Sequence, residues 1–156
     1  MAAKVVKGTA GVKTLVGEHL GYSDWMEIAQ DRVNQFADAT LDHQWIHVDV
    51  DRAKKESPFG GPIAHGFLTL SLTTPMLMES MIAPDRMVMV VNYGTDKVRF
   101  VEPVKVGSRI RGRTRLVDVV EKGPGRYLVK NEITVEIEGA DKPALVAEAL
   151  TLFVTA

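Results

Sequence analysis

The segment ADATLDHQWIHVDVD, residues 37–51, holds four aspartates and two histidines in fifteen residues. Carboxylate and imidazole are the side chains best suited to moving protons near neutral pH. Asp42 and His47 are five residues apart, about 140° around an α-helix, so they would not share a helical face. To converge, the chain must leave a helix after Thr40 and turn. A converged pair can hold one water, as a hydration or dehydration centre requires. Two other readings fit the same residues. In one, Asp42 ends a helix and His47 is an ordinary loop residue. In the other, His43 and His47, spaced i,i+4, begin a metal site with Asp49, Asp51 and His65 as further ligands. Against the metal stand the lack of an H-E-x-x-H pattern and the apolar Trp45-Ile46 between the histidines.

A second feature lies eighteen residues beyond His47, where Ala64-His65-Gly66-Phe67 opens the most apolar stretch of the chain. A helix N-terminus presents unpaired N–H groups and partial positive charge. Gly66 there lets a ligand approach the backbone. Such a site can hold a carbonyl oxygen as it becomes an enolate. Acid/base pair and oxyanion donor together make the minimum kit for adding water across an α,β-unsaturated thioester.

The elements that must position these groups follow from pattern. FLTLSLTTPMLMESMIA, residues 67–83, is apolar all round and reads as a buried helix, with Pro75 expected to kink or break it. Its polar residues and Pro75 make it a poor membrane span. Residues 31–40 read as a short amphipathic helix, residues 10–20 as another, and SDWMEI (23–28) as a short strand. From Met87 onward the chain reads as strands at 87–93, 97–100, 108–120, 126–137 and 144–154. Their short connections favour antiparallel pairing. A hairpin about Gly123-Pro124 pairs residues whose numbers sum to 247. Arg115, Arg113, Arg111 and Arg109 then face Glu132, Thr134, Glu136 and Glu138. Ile110, Thr114 and Leu116 meet Val135, Ile133 and Val129 on the other face. The arginine comb is thus a solvated, cross-paired face rather than an anion site. The expected fold is α+β: one domain over residues 1–156, a curved antiparallel sheet wrapped round a central helix, with 1–22 as an N-terminal extension or short helix.

Composition bounds the rest. The 156 residues are 46% hydrophobic and carry a net charge of −1, which gives no reason to expect a nucleic-acid partner. With no cysteine in the sequence, disulfides, thiolate catalysis and zinc–cysteine sites are excluded. Lys13 and Glu18 interrupt any apolar leader, so no signal peptide, no membrane partner and a cytoplasmic location are expected.

FADATLDHQWIHVD, then PFGGPIAHGF, then NYGTDKVRFVEPVKVG resemble, in that order, the MaoC-like, hydratase-2 type dehydratases of the hotdog fold, in a subgroup that includes nodulation-protein-N-like sequences. The family pattern is roughly G-D-x-N-P-[LIV]-H with P-I-[VA]-H-G downstream. Asp42, Ile46, His47 and residues 62–66 match. Leu41, Gln44 and Trp45 depart, standing for Gly, Asn and Pro. The resemblance implies that Asp42 and His47 form the catalytic dyad of an (R)-specific enoyl-CoA hydratase and that the Gly66 N–H binds the thioester oxygen. It implies that His65 orients the loop, that Gln44 keeps the amide function of the family Asn, that Ser71 lies near the site, and that Tyr93 shapes the acyl pocket. For Ser71 and Tyr93 helix packing and core packing are equally open. No metal or organic cofactor is required, the CoA thioester being the substrate. A homodimer is implied, and Arg52, Lys54, Lys55, Arg86, Lys97 and Arg99 are candidates for the CoA phosphates. A hotdog acyl-CoA thioesterase and a non-catalytic acyl-CoA-binding subunit are the alternatives. The second is favoured by Leu41, which would be strained if the family glycine adopts positive φ.

Overall fold

A computed structural model describes residues 4–156. Its centre is a helix, α5 (Gly66–Ser80), whose Leu68, Thr69, Thr73, Met76, Leu77 and Ser80 are buried. Helix α5 runs through Pro75 without a break. The proline removes one backbone hydrogen bond. Burial of the two residues that follow it, Met76 and Leu77, in the main core outweighs that loss.

Before α5 come β1 (Lys4–Val6), α1 (Gly8–Lys13), β2 (His19–Tyr22), β3 (Met26–Glu27), α2 (Gln30–Thr40), α3 (Trp45–Val48) and α4 (Val50–Glu56). After it come β4 (Ile82–Pro84), β5 (Met87–Phe100), β6 (Arg109–Gly123), β7 (Arg126–Ile137) and β8 (Leu145–Thr155). The main sheet has the order β2-β6-β7-β8-β5, with β3 also on β6, and all its pairings are antiparallel. Strands β1 and β4 form a small parallel pair beside it. The inner face of the sheet, with Ile110, Ile133, Val135, Leu145 and Ala147, packs on Leu68, Met76 and Leu77 of α5. Gly112 permits the close approach: a Cβ there would lie 2.9 Å from the Met76 Cβ.

The β6–β7 register is the expected one from Ile110 to Leu116, with Arg115 opposite Glu132 and Arg111 opposite Glu136. Ion pairs close across the outer face at 3.1 Å for Arg115–Glu132, 2.9 Å for Arg111–Glu136 and 3.0 Å for Arg109–Glu138. The Gly112–Val135 and Leu116–Asn131 pairings that the sum of 247 predicts both form. Beyond Leu116 a bulge shifts the ladder by one, so Val119 faces Val129.

Other expectations need correction. The strands expected at 87–93 and 97–100 are one edge strand, β5, which bulges at three places instead of ending. Of SDWMEI only Met26 and Glu27 pair. Residues 19–22, expected in an extension, are the edge strand β2 of the main sheet. Val12 of α1 is buried against a second cluster that includes Leu116 and Phe153. Helices α3 and α4 span too few residues to show a helical period.

Leu41 ends α2 in the left-handed conformation, φ 64° and ψ 18°, with its side chain 81% exposed. Leucine there costs about 1–2 kcal/mol. Glycine would relieve this but loses about 0.4–1 kcal/mol through a freer unfolded chain. Leu41→Gly should therefore stabilise the protein by about 0.5–1 kcal/mol, read as a melting temperature higher by roughly 1–4 °C. A lower melting temperature would show that Leu41 is held by contacts rather than tolerated.

Candidate active site

The left-handed residue Leu41 turns the chain out of α2 and delivers Asp42 to the start of the next segment. His47 sits on the single turn of α3, 6% exposed. The two are brought together with His65: one potential ligand atom from each of Asp42, His47 and His65 lies within 4.8 Å of the others. His47 Nδ1 lies 2.6 Å from the Ile63 carbonyl oxygen. A carbonyl can only accept, so Nδ1 carries the proton and Nε2 keeps its lone pair when the ring is neutral. By the same argument His65 Nε2, 2.9 Å from the Asp42 carbonyl oxygen, is the donor there. The His47 and His65 rings stack with centroids 3.9 Å apart and planes inclined by 26°. His65 thus fixes the Asp42 main chain and one face of His47 together.

The Asp42 side chain is 53% exposed. Its carboxylate is held weakly, Oδ1 accepting from the Gln44 N–H at 3.4 Å and Oδ2 lying 4.0 Å from His65 Nε2. Gln44 caps α3 from an exposed position, its carbonyl accepting the His47 N–H at 3.0 Å. Gln30 adds a support with no sequence signal: its Nε2 donates to the His47 carbonyl at 2.7 Å.

Burial pushes the His47 pKa below its ordinary value. The hydrogen bond to Ile63 opposes the shift, His65 adds to it, and Asp42 opposes it. His47 is therefore neutral near pH 7, an acceptor at Nε2.

The ligand set read from the i,i+4 spacing is not brought together as a whole. His43 turns away to Asp38, Nε2–Oδ1 2.8 Å, and Asp49 caps α4 by accepting the Arg52 N–H at 3.0 Å.

Gly66 is the first residue of α5. Its lack of a side chain has a cause beyond ligand approach, since a Cβ would lie 3.1 Å from the Phe100 ring. His47, Gly66, Phe59, Thr69, Phe100 and Pro103 line a cavity of about 310 Å³. Ser71 lies further along α5, its hydroxyl donating to the Phe67 carbonyl at 2.8 Å, and lines a neighbouring cavity instead. Tyr93 is not brought to this site: it is 60% exposed on edge strand β5 and outside the cavity shared by His47 and Gly66. Phe59 and Phe100 shape the site without a motif that marks them. Ile63 acts through its carbonyl, which no side-chain pattern could disclose.

Sheet, central helix and the Asp42–His47 pair beside the helix N-terminus define a hotdog-fold hydratase-type domain. The chain belongs to the MaoC-like domain family, which matches residues 12–139, and it is an enzyme of the hydro-lyase class. Nodulation protein N of Rhizobium leguminosarum bv. viciae is 48% identical over 143 residues, 92% of this chain and 89% of that protein. A 3-hydroxyacyl-thioester dehydratase Z of Mycobacterium tuberculosis is 47% identical over 151 residues, 97% of this chain and 99% of that one. Among solved structures, the (R)-hydratase from A. caviae has the same fold, with a TM-score of 0.70 at 22% identity over 87% of this chain and 94% of that one.

The buried neutral His47 makes stability depend on pH. A depressed folded pKa means that the unfolded chain binds the proton more readily. The stabilisation is complete above the unfolded value of 6.5 and is lost as pH falls through the folded value. The melting temperature of the unaltered protein should drop on acidification from pH 6.5 down to the folded value, and His47→Gln should flatten this part of the profile. An equal drop in the variant would assign the titration elsewhere.

Proposed function

We propose that the chain is an (R)-specific enoyl-CoA hydratase, also running in reverse as a 3-hydroxyacyl-CoA dehydratase, with Asp42 and His47 as its catalytic residues. The observation that carries this is the bare Nε2 of a buried, neutral His47 close to the Asp42 carboxylate and beside the first residue of α5. A water that donates one hydrogen to each acceptor keeps an oxygen lone pair free for attack. As its oxygen bonds to C3 of a trans-2-enoyl thioester, Asp42 takes the proton and His47 holds the remaining hydroxyl hydrogen. The C2–C3 π electrons move through C2 to the thioester oxygen, which accepts a hydrogen bond from the Gly66 N–H. Collapse of this enolate takes the proton from Asp42 to C2 and restores the carboxylate.

No metal or organic cofactor enters these steps. His65 is a positioning residue, and the cavity of about 310 Å³ beside Gly66 is the entry for the thioester. Leu41 gave the non-catalytic reading its ground. Its left-handed turn supports a working site instead.

Asp42→Asn and His47→Gln should each cut hydration of crotonyl-CoA by about 10²–10⁴, followed as loss of enoyl absorbance, with the fold checked by circular dichroism. Undiminished turnover in both folded variants would sink the dyad. Thiol release from acyl-CoA without hydration would decide for a thioesterase, and binding without turnover for a non-catalytic subunit.

A homodimer joined through β5 completes this reading. An exposed edge strand is an unpaired ladder that proteins cover or blunt, and Val88, Met89 and Tyr93 stand exposed along it. Introducing Val88→Lys with Val91→Lys should shift the sedimentation coefficient from dimer to monomer. A dimer of unchanged affinity would place the contact on another face.

A further inference from the structure

Three cavities lie in order along α5, from Gly66 and Thr69 through Leu70 to Leu77 and on to Met78 and beyond. The first, at the α5 N-terminus, adjoins His47 and Gly66. The second, about 220 Å³, includes Ser71, Thr74 and Asn92. The third, about 150 Å³, shares Thr74, Asn92 and Thr151 with the second and adds Asn131. Asn131 is 3% exposed, and its Oδ1 has no hydrogen-bond partner among the described residues. A buried amide without a partner costs about 1–3 kcal/mol. It lies beside Met81 and Phe153, in a part of the core where an apolar side chain would pack at no such cost.

We propose that this row of cavities takes the acyl chain of the thioester and that Asn131, with Asn92 and Thr151, holds a hydroxyl group on its distal part. The inference rests on the thioester reading above. From Gly66 to Thr74 the helix rises about 12 Å, so the hydroxyl lies far from the reacting double bond, near the end of a medium-length chain. A hydroxyl both donates and accepts, so it satisfies Asn131 with either face of the amide turned inward. A plain alkyl chain would bury Oδ1 unpaired. A site built to bond a hydroxyl discriminates against the analogue that lacks it more strongly than an apolar pocket discriminates by size.

Calorimetric titration of the full chain with decanoyl-CoA and ω-hydroxydecanoyl-CoA tests this without turnover, so loss of the hydratase reading would show separately as absent hydration of the decenoyl thioester. The hydroxylated ligand should bind about tenfold more tightly, equivalent to about 1.4 kcal/mol. Asn131→Leu should bring the two affinities together. Asn92→Val, at an exposed strand position, and Thr151→Val should each narrow the gap, which keeps the test valid if Asn131→Leu does not fold. Equal or tighter binding of decanoyl-CoA, a preference that survives all three variants, or binding of neither ligand would overturn the proposal.

Discussion

The site depends on one hydrogen bond, from His47 Nδ1 to the Ile63 carbonyl. Without it the buried imidazole would lack a fixed tautomer, and its second nitrogen would not be reserved as an acceptor. Ile63 holds still because its neighbourhood is tied on two sides. Its own N–H donates to the Ile46 carbonyl at 3.0 Å, and Ala64 N–H donates to the Val104 carbonyl at 2.8 Å. Val106 N–H reaches the Pro62 carbonyl at 3.0 Å. Residues 62–64 thus form a strap between α3 and the chain that leads into β6. The same strap sets where α5 begins. Dyad and helix N-terminus are held in mutual register by backbone hydrogen bonds rather than by side-chain packing.

That explains what could be read from the residues alone. The spacing of Asp42 and His47 alone fitted an ordinary loop as well; their convergence became legible only with the glycine-opened helix downstream and the family resemblance that both segments carry. The β6–β7 register was legible because the turn residues and two stripes of opposite charge agree on it. The tie to Ile63 was not, since any residue offers a carbonyl. Helices α3 and α4 were hidden by their shortness. Of the two outcomes expected at Pro75, a kink or a break, the break does not occur, because the packing of Met76 and Leu77 carries the helix through. Asn92 and Gly94, read with Tyr93 as the wall of a pocket, do line a cavity beside α5, on a strand β5 that runs through them with a bulge between Asn92 and Gly94. Tyr93 is left exposed on that strand.

The arginine comb shows the opposite balance. Four arginines on alternate positions suggest a binding surface until their partners are counted. Exposed pairs of this kind contribute little stability each, yet they keep the outer face of β6 and β7 wet while the inner face meets α5. Gly112, among these arginines, matters more to the fold than any of them, because it sets how closely the sheet approaches Met76.

The two members of the dyad are held very differently. His47 is clamped by Ile63 on its edge and by His65 on its face. His65 Nε2 donates to the Asp42 main chain, and the carboxylate is held loosely, by the 3.4 Å contact from the Gln44 N–H and the 4.0 Å approach of His65 Nε2. The pair is therefore an anvil and a swivel. In the proposed hydration the rigid imidazole is what would fix the point where the water oxygen is delivered. A carboxylate free to rotate about its own bonds would then take the proton from that water at C3 and set it down on C2, without any movement of the backbone that carries it.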